Sequence, residues 1–262
     1  MFYRELKPTG AAAQFVKCFW MLEERSTTPS TQRILPDGRC ELILNLAEPF
    51  EALTARGWES QPQAFVVGQI TKPMMLRTRG AAKAIGIRFQ PDGASALLKI
   101  PADELTDEQV SLTDLSRVLT EQLECLRDSE SPILERLDQL ISNPAAQVPL
   151  DRQIAYAASE FQRSSGTIAI SEMARQLGLS ARQLERRFKA AVGVSPKLFC
   201  RMQRFQRVFR AMESNVFDWV SVAIDCGYYD QAHLIRDFQQ FAGCAPTSLL
   251  NSEIRLARSF AS

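Results

Sequence analysis

The sequence predicts a two-domain protein of the α+β class, with a β-rich N-terminal domain and an all-helical C-terminal domain. Three observations support this. Short apolar runs separated by turn residues fill the first hundred positions, leucines recur at helical spacing from Leu105, and an internal repeat lies within residues 169–250. The chain has 262 residues, 45% of them hydrophobic, which is enough for two buried cores.

Strands are predicted where apolar runs alternate with turns, at 33–46, 63–70, 74–80 and 82–89. The tripeptides 36–38 and 91–93, both Pro-Asp-Gly, favour turns because proline presets φ and glycine accepts a positive φ. The run ELILNL (41–46) is too continuously apolar for a strand with one wet face. It therefore predicts the middle of a sandwich-like or barrel-like sheet, whereas Pro73 predicts an edge or a corner.

A leucine stripe marks the change to helix after Leu105. Its members follow each other at steps of three and four residues, at positions 112, 115, 119, 123 and 126, and Pro132 opens a second apolar segment. Such stripes pack on their own domain or form a dimer seam, and the sequence leaves both open. We therefore expect an N-terminal domain at 1–142 with helices at 105–141, a linker at 143–151 containing two prolines, and a C-terminal domain at 152–253.

Charge is distributed unevenly between the two predicted domains. Residues 1–150 carry 16 Lys/Arg and 20 Asp/Glu, whereas residues 151–262 carry 15 and 10. Within 182–210 there are nine basic side chains and a single acidic one, Glu185. This basic segment indicates a polyanionic partner, with a solvated helix face as the alternative.

The cysteine pattern and the N-terminus indicate a cytoplasmic protein. Six cysteines are scattered without a C-x-x-C pair, which is typical of reduced thiols. The N-terminus lacks the features of a signal peptide, and no run of about 18 apolar residues predicts a membrane span.

The internal repeat is the most informative feature. The first copy reads AISEMARQLGLSARQLERRFKAAVGVSP and the second WVSVAIDCGYYDQAHLIRDFQQFAGCAP. Ala174 aligns with Ala223 and Gly178 with Gly227 at an offset of 49 residues; later pairs, such as Phe188 with Phe238, are 50 apart. The second copy therefore has one extra residue in its turn.

Each copy has the residues of a helix-turn-helix unit. A small alanine permits close helix approach, and the glycine four positions later can end the first helix in the left-handed conformation. Ser180 and Asp230 are suitable N-caps for the second helix. That helix buries a leucine and a phenylalanine four residues apart, so its other side is left exposed.

The outward faces of these second helices, at about 181–191 and 231–241, carry side chains suited to reading base edges. Arginine can bind guanine, glutamine can bind adenine, and glutamate can accept from cytosine. We expect the DNA-contacting residues to be Arg182, Glu185, Arg186, Lys189, Gln231, Ala232, His233 and Arg236. His233 is the only histidine of the chain. A partly exposed histidine without any contact is its alternative role.

Between the copies, residues 195–213 predict a connecting helix that Ser195 caps and Pro196 begins. Its apolar stripe would pack inward. Four arginines on its other faces, at 201, 204, 207 and 210, are candidates for phosphate contacts, with solvation or pairing with acids as the alternative.

Residues 151–253, about 40% of the chain, resemble the DNA-binding domain of the AraC/XylS transcriptional regulators. The mark of that family is G-(F/Y)-x-(D/S)-Q-x-x-F-x-R-x-F-(K/R)-x-x-x-G-x-x-P. The positions that fit it are Gly227, Tyr228, Asp230, Gln231, Arg236, Phe238, Gly243 and Pro246. Leu234 replaces a common aromatic, and Gln239 replaces the usual Lys or Arg, which puts one phosphate contact in doubt.

The resemblance implies a seven-helix domain whose two units enter successive major-groove segments of double-stranded DNA. It places Arg182, Glu185 and Arg186 on the first recognition helix, and residues 231–233, Ile235 and Arg236 on the second. It also implies RNA polymerase as a partner. The sequence leaves homodimer formation and the choice between activation and repression open.

The N-terminal half is similar to the sensor domain that precedes this module in some members of the family, which implies an effector site or a dimer contact. A cupin-like metal site needs two or three histidines, and residues 1–150 contain none, so neither metal nor cofactor is expected. The effector site is not assigned. Residues that could line a pocket, each with core or surface as its alternative, are Trp20, Cys40, Trp58, Phe65, Arg77 and Arg88.

The sequence disfavours two other classes of function. An enzyme is not expected, because His233 has no nucleophile motif near it and the cysteines have no evident activating partner. A protein-binding module built from helical hairpins is disfavoured by the basic segment 182–210. The sequence therefore predicts a sequence-specific DNA-binding transcriptional regulator without catalytic residues.

Overall fold

The structure is a computed structural model, and it describes residues 2–25, 29–126, 132–212 and 218–250. It confirms the predicted fold class, with a β-rich domain followed by a helical one.

The N-terminal domain is built from two antiparallel sheets. The strands are β1 Phe2–Leu6, β2 Val16–Glu24, β3 Ser30–Ile34, β4 Glu41–Asn45, β5 Glu51–Thr54, β6 Gly57–Ser60, β7 Ala64–Val67, β8 Met74–Thr78, β9 Ala82–Phe89 and β10 Gln109–Ser111. The first sheet has the order β1-β2-β9-β4-β7-β10, and the second has the order β3-β8-β5-β6. Strand β4, the predicted central strand, lies between β9 and β7. Pro73 lies at the corner before β8.

Helices that follow the sheets complete the N-terminal core. They are α1 Gly93–Leu98, α2 Leu112–Leu115, α3 Arg117–Glu124 and α4 Ile133–Ala145. Leu112, Leu123 and Leu126 are buried in one cluster with residues of β4 and β9. The leucine stripe thus packs on its own domain, as the first of its two interpretations proposed.

The structure adds local detail that the sequence patterns do not show. Strand β10 lies inside the segment predicted as helical, because it pairs with β7 and this tertiary pairing overrides local preference. Helix α1 begins at Gly93, the last residue of the predicted turn at 91–93, and follows the last of the predicted strands. Helix α4 extends to Ala145, three residues into the predicted linker, and Asp151 caps the next helix.

The C-terminal domain is all-helical in the part that the structure describes. Its helices are α5 Arg152–Arg163, α6 Ile170–Gln176, α7 Ala181–Val192, α8 Pro196–Ala211, α9 Trp219–Asp225, α10 Gln231–Ala242 and α11 Pro246–Leu250. Phenylalanines from four of them pack edge to face, with centroids 5.4 Å apart for Phe188 and Phe199 and 5.0 Å for Phe205 and Phe238. Helix α8 thereby packs against both repeat copies and joins their cores.

Within the described ranges, no helix combines the length and the apolar character that crossing a membrane requires.

Candidate nucleic-acid interface

The first helix-turn-helix unit consists of α6 and α7. Gly178 has φ +66° after α6, and the N–H of Leu179 donates to the carbonyl of Ala174 at 2.9 Å. Ser180 then caps α7 in a capping box, accepting from the N–H of Gln183, whose side chain accepts from the N–H of Ser180. The glycine, the cap and the buried alanine therefore act as predicted.

The second unit consists of α9 and α10 and repeats this geometry. Gly227 has φ +82°, and the N–H of Tyr228 donates to the carbonyl of Ala223 at 2.9 Å. Asp230 caps α10 by accepting from the N–H of His233 at 2.7 Å. Because Tyr228 makes the bond that Leu179 makes in the first unit, the extra residue of the second turn is Tyr229.

The four DNA-contact candidates of α7 are exposed: Arg182, Glu185, Arg186 and Lys189. Leu184 and Phe188, on the opposite side, are fully buried. Lys189, near the end of the helix, also forms an ion pair of 3.8 Å with Asp103 of the N-terminal domain. The first two turns of α7 therefore present three exposed charged side chains, Arg182, Glu185 and Arg186.

The second recognition helix presents a less charged surface. Ala232 and Arg236 are exposed, whereas Gln231 and His233 are half-buried. The His233 ring lies edge-on to Tyr228, with centroids 5.1 Å apart. The only histidine thus has an aromatic contact inside the domain in addition to its place on the outward side of the first turn.

Two arginines of α8 serve the domain interior. Arg201 pairs with the buried Asp237 of α10 at 2.6 Å, and Arg204 donates to the carbonyl of Gly166 at 2.7 Å. These contacts agree with the alternative that some of the arginines pair inside the protein. Arg207 and Arg210 stay candidates for phosphate contacts.

The C-terminal ends of both recognition helices dock on the N-terminal domain. The hydroxyls of Ser95 and Thr106 donate to the carbonyls of Ala191 and Gly193, each at 2.7 Å, at the end of α7. At the end of α10, Arg33 Nη1 donates to the carbonyl of Ala242 at 3.0 Å. The N-terminal domain therefore leaves the N-terminal turns of both helices uncovered.

A cavity lies between the two sheets and reaches α8. Its walls are mainly apolar, with Trp20, Ile43 and Leu76 from the sheets, Phe50 from the residue before β5, and Phe209 from α8. Trp20 and Arg88 are thus the pocket candidates that line it; Cys40, Trp58, Phe65 and Arg77 are absent from its lining, and Arg77 instead stacks on Trp58 at 4.4 Å.

The polar side of this cavity carries several charged groups. Arg33, Asp37 and Arg39 line it, together with the ion pair of Arg88 and Glu41 at 2.7 Å. Burial raises the pKa of Asp37 to about 6, and burial also lowers the pKa of Arg39. A ligand in this cavity would meet an apolar wall and a polar end.

All six cysteines are free thiols, and four of them are buried. Among the described residues, no group of three or more His, Cys, Asp or Glu side chains is arranged to hold a metal ion.

The family comparison agrees with this geometry. Residues 173–252 match the model of a helix-turn-helix domain, and residues 4–111 match a domain of unknown function. The chain carries an AraC-type helix-turn-helix domain. The predicted resemblance is confirmed for this C-terminal domain, because the matched residues span the two helix-turn-helix units described above. No curated protein matches the chain.

Several solved structures are similar to the chain. ToxT from Vibrio cholerae is 12% identical, with 89% of this chain and 98% of ToxT covered and a TM-score of 0.48. An AraC-type regulator from Chromobacterium violaceum is 20% identical over 40% of this chain and 95% of its own, with a TM-score of 0.37. The AraC-like activator CuxR is 14% identical over 74% of this chain and 76% of its own, with a TM-score of 0.32.

Sequence reasoning missed three features of this site. The contacts of Ser95, Thr106 and Arg33 join segments far apart in the chain, so no local pattern marks them. The Arg201–Asp237 pair is equally non-local. The sequence shows that the second turn has one extra residue. Only the backbone hydrogen bonds identify that residue as Tyr229.

Proposed function

We propose that α7 and α10 bind successive major-groove segments on one side of a DNA duplex. The observation that carries this proposal is that the first two turns of both helices carry exposed side chains, such as Arg182 and Arg236, while their C-terminal ends dock on the N-terminal domain. The N-terminal part of a recognition helix is the part that reaches base edges. Helix α8 packs against both units and holds them at one spacing.

In this proposal Arg182, Glu185 and Arg186 contact bases from α7, and Gln231, Ala232, His233 and Arg236 do so from α10. The exposed guanidinium of Arg186 suits a bidentate contact to guanine, and the methyl of Ala232 suits a thymine methyl. Lys189, whose ammonium also pairs with Asp103, contacts a phosphate at the rim.

The experiment that tests this is selection of genomic DNA fragments by the purified full-length protein at about 0.15 M salt, followed by sequencing. We expect a motif of two short blocks whose centres are separated by about 10 base pairs, one helical turn. The double variant Arg182→Ala, Arg186→Ala is the matched control and should lose one block. The proposal would be overturned if neither the folded full-length protein nor residues 151–262 on their own enriched a motif.

We further propose that the N-terminal domain controls DNA binding through a small molecule in the cavity. Arg33 supports this, because it lines the cavity and also holds the carbonyl of Ala242 at the end of α10. Gln206 of α8 lines the cavity and donates to the carbonyl of Pro36 at 2.6 Å. A ligand would therefore touch the groups that join the domains.

An unsaturated fatty acid, present in one ToxT structure, is a practical first probe. Saturable binding that Phe209→Ala weakens, together with altered DNA affinity, is the expected result. Binding that is indifferent to Phe209 would place the probe elsewhere, and unchanged DNA affinity at saturation would refute control by this ligand.

Three finer points complete the proposal. They are action by binding without a catalytic step, contact with RNA polymerase, and formation of a homodimer. Since the leucine stripe is used by the core of its own domain, a dimer would need another surface. Sedimentation of the protein with and without its selected DNA measures directly whether a homodimer forms.

A further inference from the structure

Tyr229 is the residue by which the two turns differ. In each unit the second residue of the turn, Leu179 or Tyr228, closes the same hydrogen bond to an alanine carbonyl, at 2.9 Å. In the first unit the N-cap Ser180 follows at once, whereas in the second unit Tyr229 stands before the N-cap Asp230. The inserted side chain therefore lies immediately before the recognition helix α10.

Its surroundings do not account for an aromatic side chain. Tyr229 is 91% exposed, whereas its neighbour Tyr228 is only 4% exposed and packs in the core. A phenol ring left in water makes no contribution to the core, so the fold itself does not require tyrosine at this position.

The position is suited to a DNA strand. When the first turn of a recognition helix reaches base edges, the residue before its cap lies at the rim of the groove, where the sugar-phosphate backbone passes. A tyrosine there can pack its ring against a deoxyribose and donate its hydroxyl to a phosphate oxygen.

The charge of the second unit makes such a contact useful. Helix α7 exposes three cationic side chains, Arg182, Arg186 and Lys189, whereas the outward face of α10 carries Arg236 alone. Gln239 occupies the position where the family pattern has a cation. The described face of α10 therefore offers few cationic contacts to phosphates, and a neutral donor beside it would add to them.

We propose that Tyr229 binds the DNA backbone beside the groove that α10 enters, as an uncharged contact that the first unit lacks. The inference rests on the proposed two-unit binding of DNA. It assigns Tyr229 to affinity and orientation, and leaves base choice to the residues of α10.

The test uses a DNA fragment selected by the full-length protein and compares dissociation constants over a series of salt concentrations. Tyr229→Phe removes only the hydroxyl, and we expect binding weaker by about threefold to tenfold, the range of one hydrogen bond. The slope of log affinity against log salt should be unchanged, because a neutral donor displaces no counterion. Tyr229→Ala should weaken binding further.

Two controls make the result specific. Lys189→Ala, at the side chain proposed to contact a phosphate, should reduce the salt slope by about one, which shows that the assay detects a lost cationic contact. Tyr156, which is 49% exposed on α5, serves as the matched tyrosine, and Tyr156→Phe and Tyr156→Ala should leave binding unchanged.

The outcomes separate the two proposals. Wild-type protein that binds its fragment while both Tyr229 variants bind equally well overturns the role of Tyr229 only. A Tyr229→Phe variant that binds normally while Tyr229→Ala is weak rejects the phosphate hydrogen bond and leaves the ring contact. Wild-type protein that selects no DNA overturns both proposals.

Discussion

Helix α7 carries Arg187 at the repeat position where helix α10 carries Asp237. Arg187 donates to Asp151 at 2.7 Å and to Gln153 at 2.7 Å, which joins the first unit to the start of α5. Asp237 is 1% exposed and pairs with Arg201 of α8. The two units thus have equivalent buried residues, but they are attached to the rest of the domain differently. The first unit uses a basic side chain toward α5, and the second uses an acidic side chain toward α8.

The two units are also attached to the N-terminal domain by different kinds of side chain. Neutral hydroxyls of Ser95 and Thr106 hold the end of α7, and neither residue lines the cavity. The end of α10 is held by Arg33, a guanidinium that does line it. The comparison indicates that the first unit is anchored apart from the cavity, whereas the second unit is connected to it.

The largest expected effect concerns the two ion pairs. Asp237→Ala removes the partner of Arg201 at a buried position and should lower the free energy of unfolding by about 3–5 kcal/mol. Arg187→Ala breaks a pair whose side chains are 31% and 39% exposed, and should cost about 1 kcal/mol or less. Urea denaturation measures both. Equal losses would show that the attachments are energetically alike.

The next effect concerns the DNA specificity of each unit. Arg186→Ala and Arg236→Ala should each weaken specific binding by about 1–3 kcal/mol and relax base preference in one block of the site. Selection from randomised DNA shows which block changes. Preference that is unaltered in either variant would remove that arginine from base reading, and loss in the same block for both would refute two separate units.

The two turn glycines provide a smaller effect. Both have positive φ, so alanine at Gly178 should destabilise the fold by about 1–2 kcal/mol through backbone strain alone. A Cβ at Gly227 would also lie 2.7 Å from Thr167 Cγ2, so Gly227→Ala should cost more. Thermal unfolding of the two variants shows which is less stable. If Gly178→Ala were the less stable one, the Thr167 side chain would move aside without a loss of stability.

The smallest effect concerns the docking contacts. Thr106→Val and Arg33→Met each remove hydrogen bonds between the domains and should cost about 1 kcal/mol or less in stability. Amide exchange is the more telling measurement, because protection should fall at the end of α7 in the first variant and at the end of α10 in the second. If each variant lost amide protection at the ends of both α7 and α10, the two contacts would belong to one joint interface.

Much of this protein could be predicted because its signals are local. The repeat fixes the spacing of Gly178 and Gly227, the caps Ser180 and Asp230, and the buried faces of α7 and α10, since each depends on residues within a few turns. The central strand β4 was visible for the same reason, as a short and continuously apolar run. The contact roles of residues such as Arg186 and His233 stay predictions, because only bound DNA can test them.

What the sequence by itself determined is the two-domain organisation, the two helix-turn-helix units and the outward positions of their side chains. Only the tertiary structure decided that β10 is a strand, that the leucine stripe belongs to its own core, and that Arg33, Ser95 and Thr106 hold the recognition helices. These features arise from pairing between segments distant in the chain, and such pairing leaves no periodicity in the sequence of either partner.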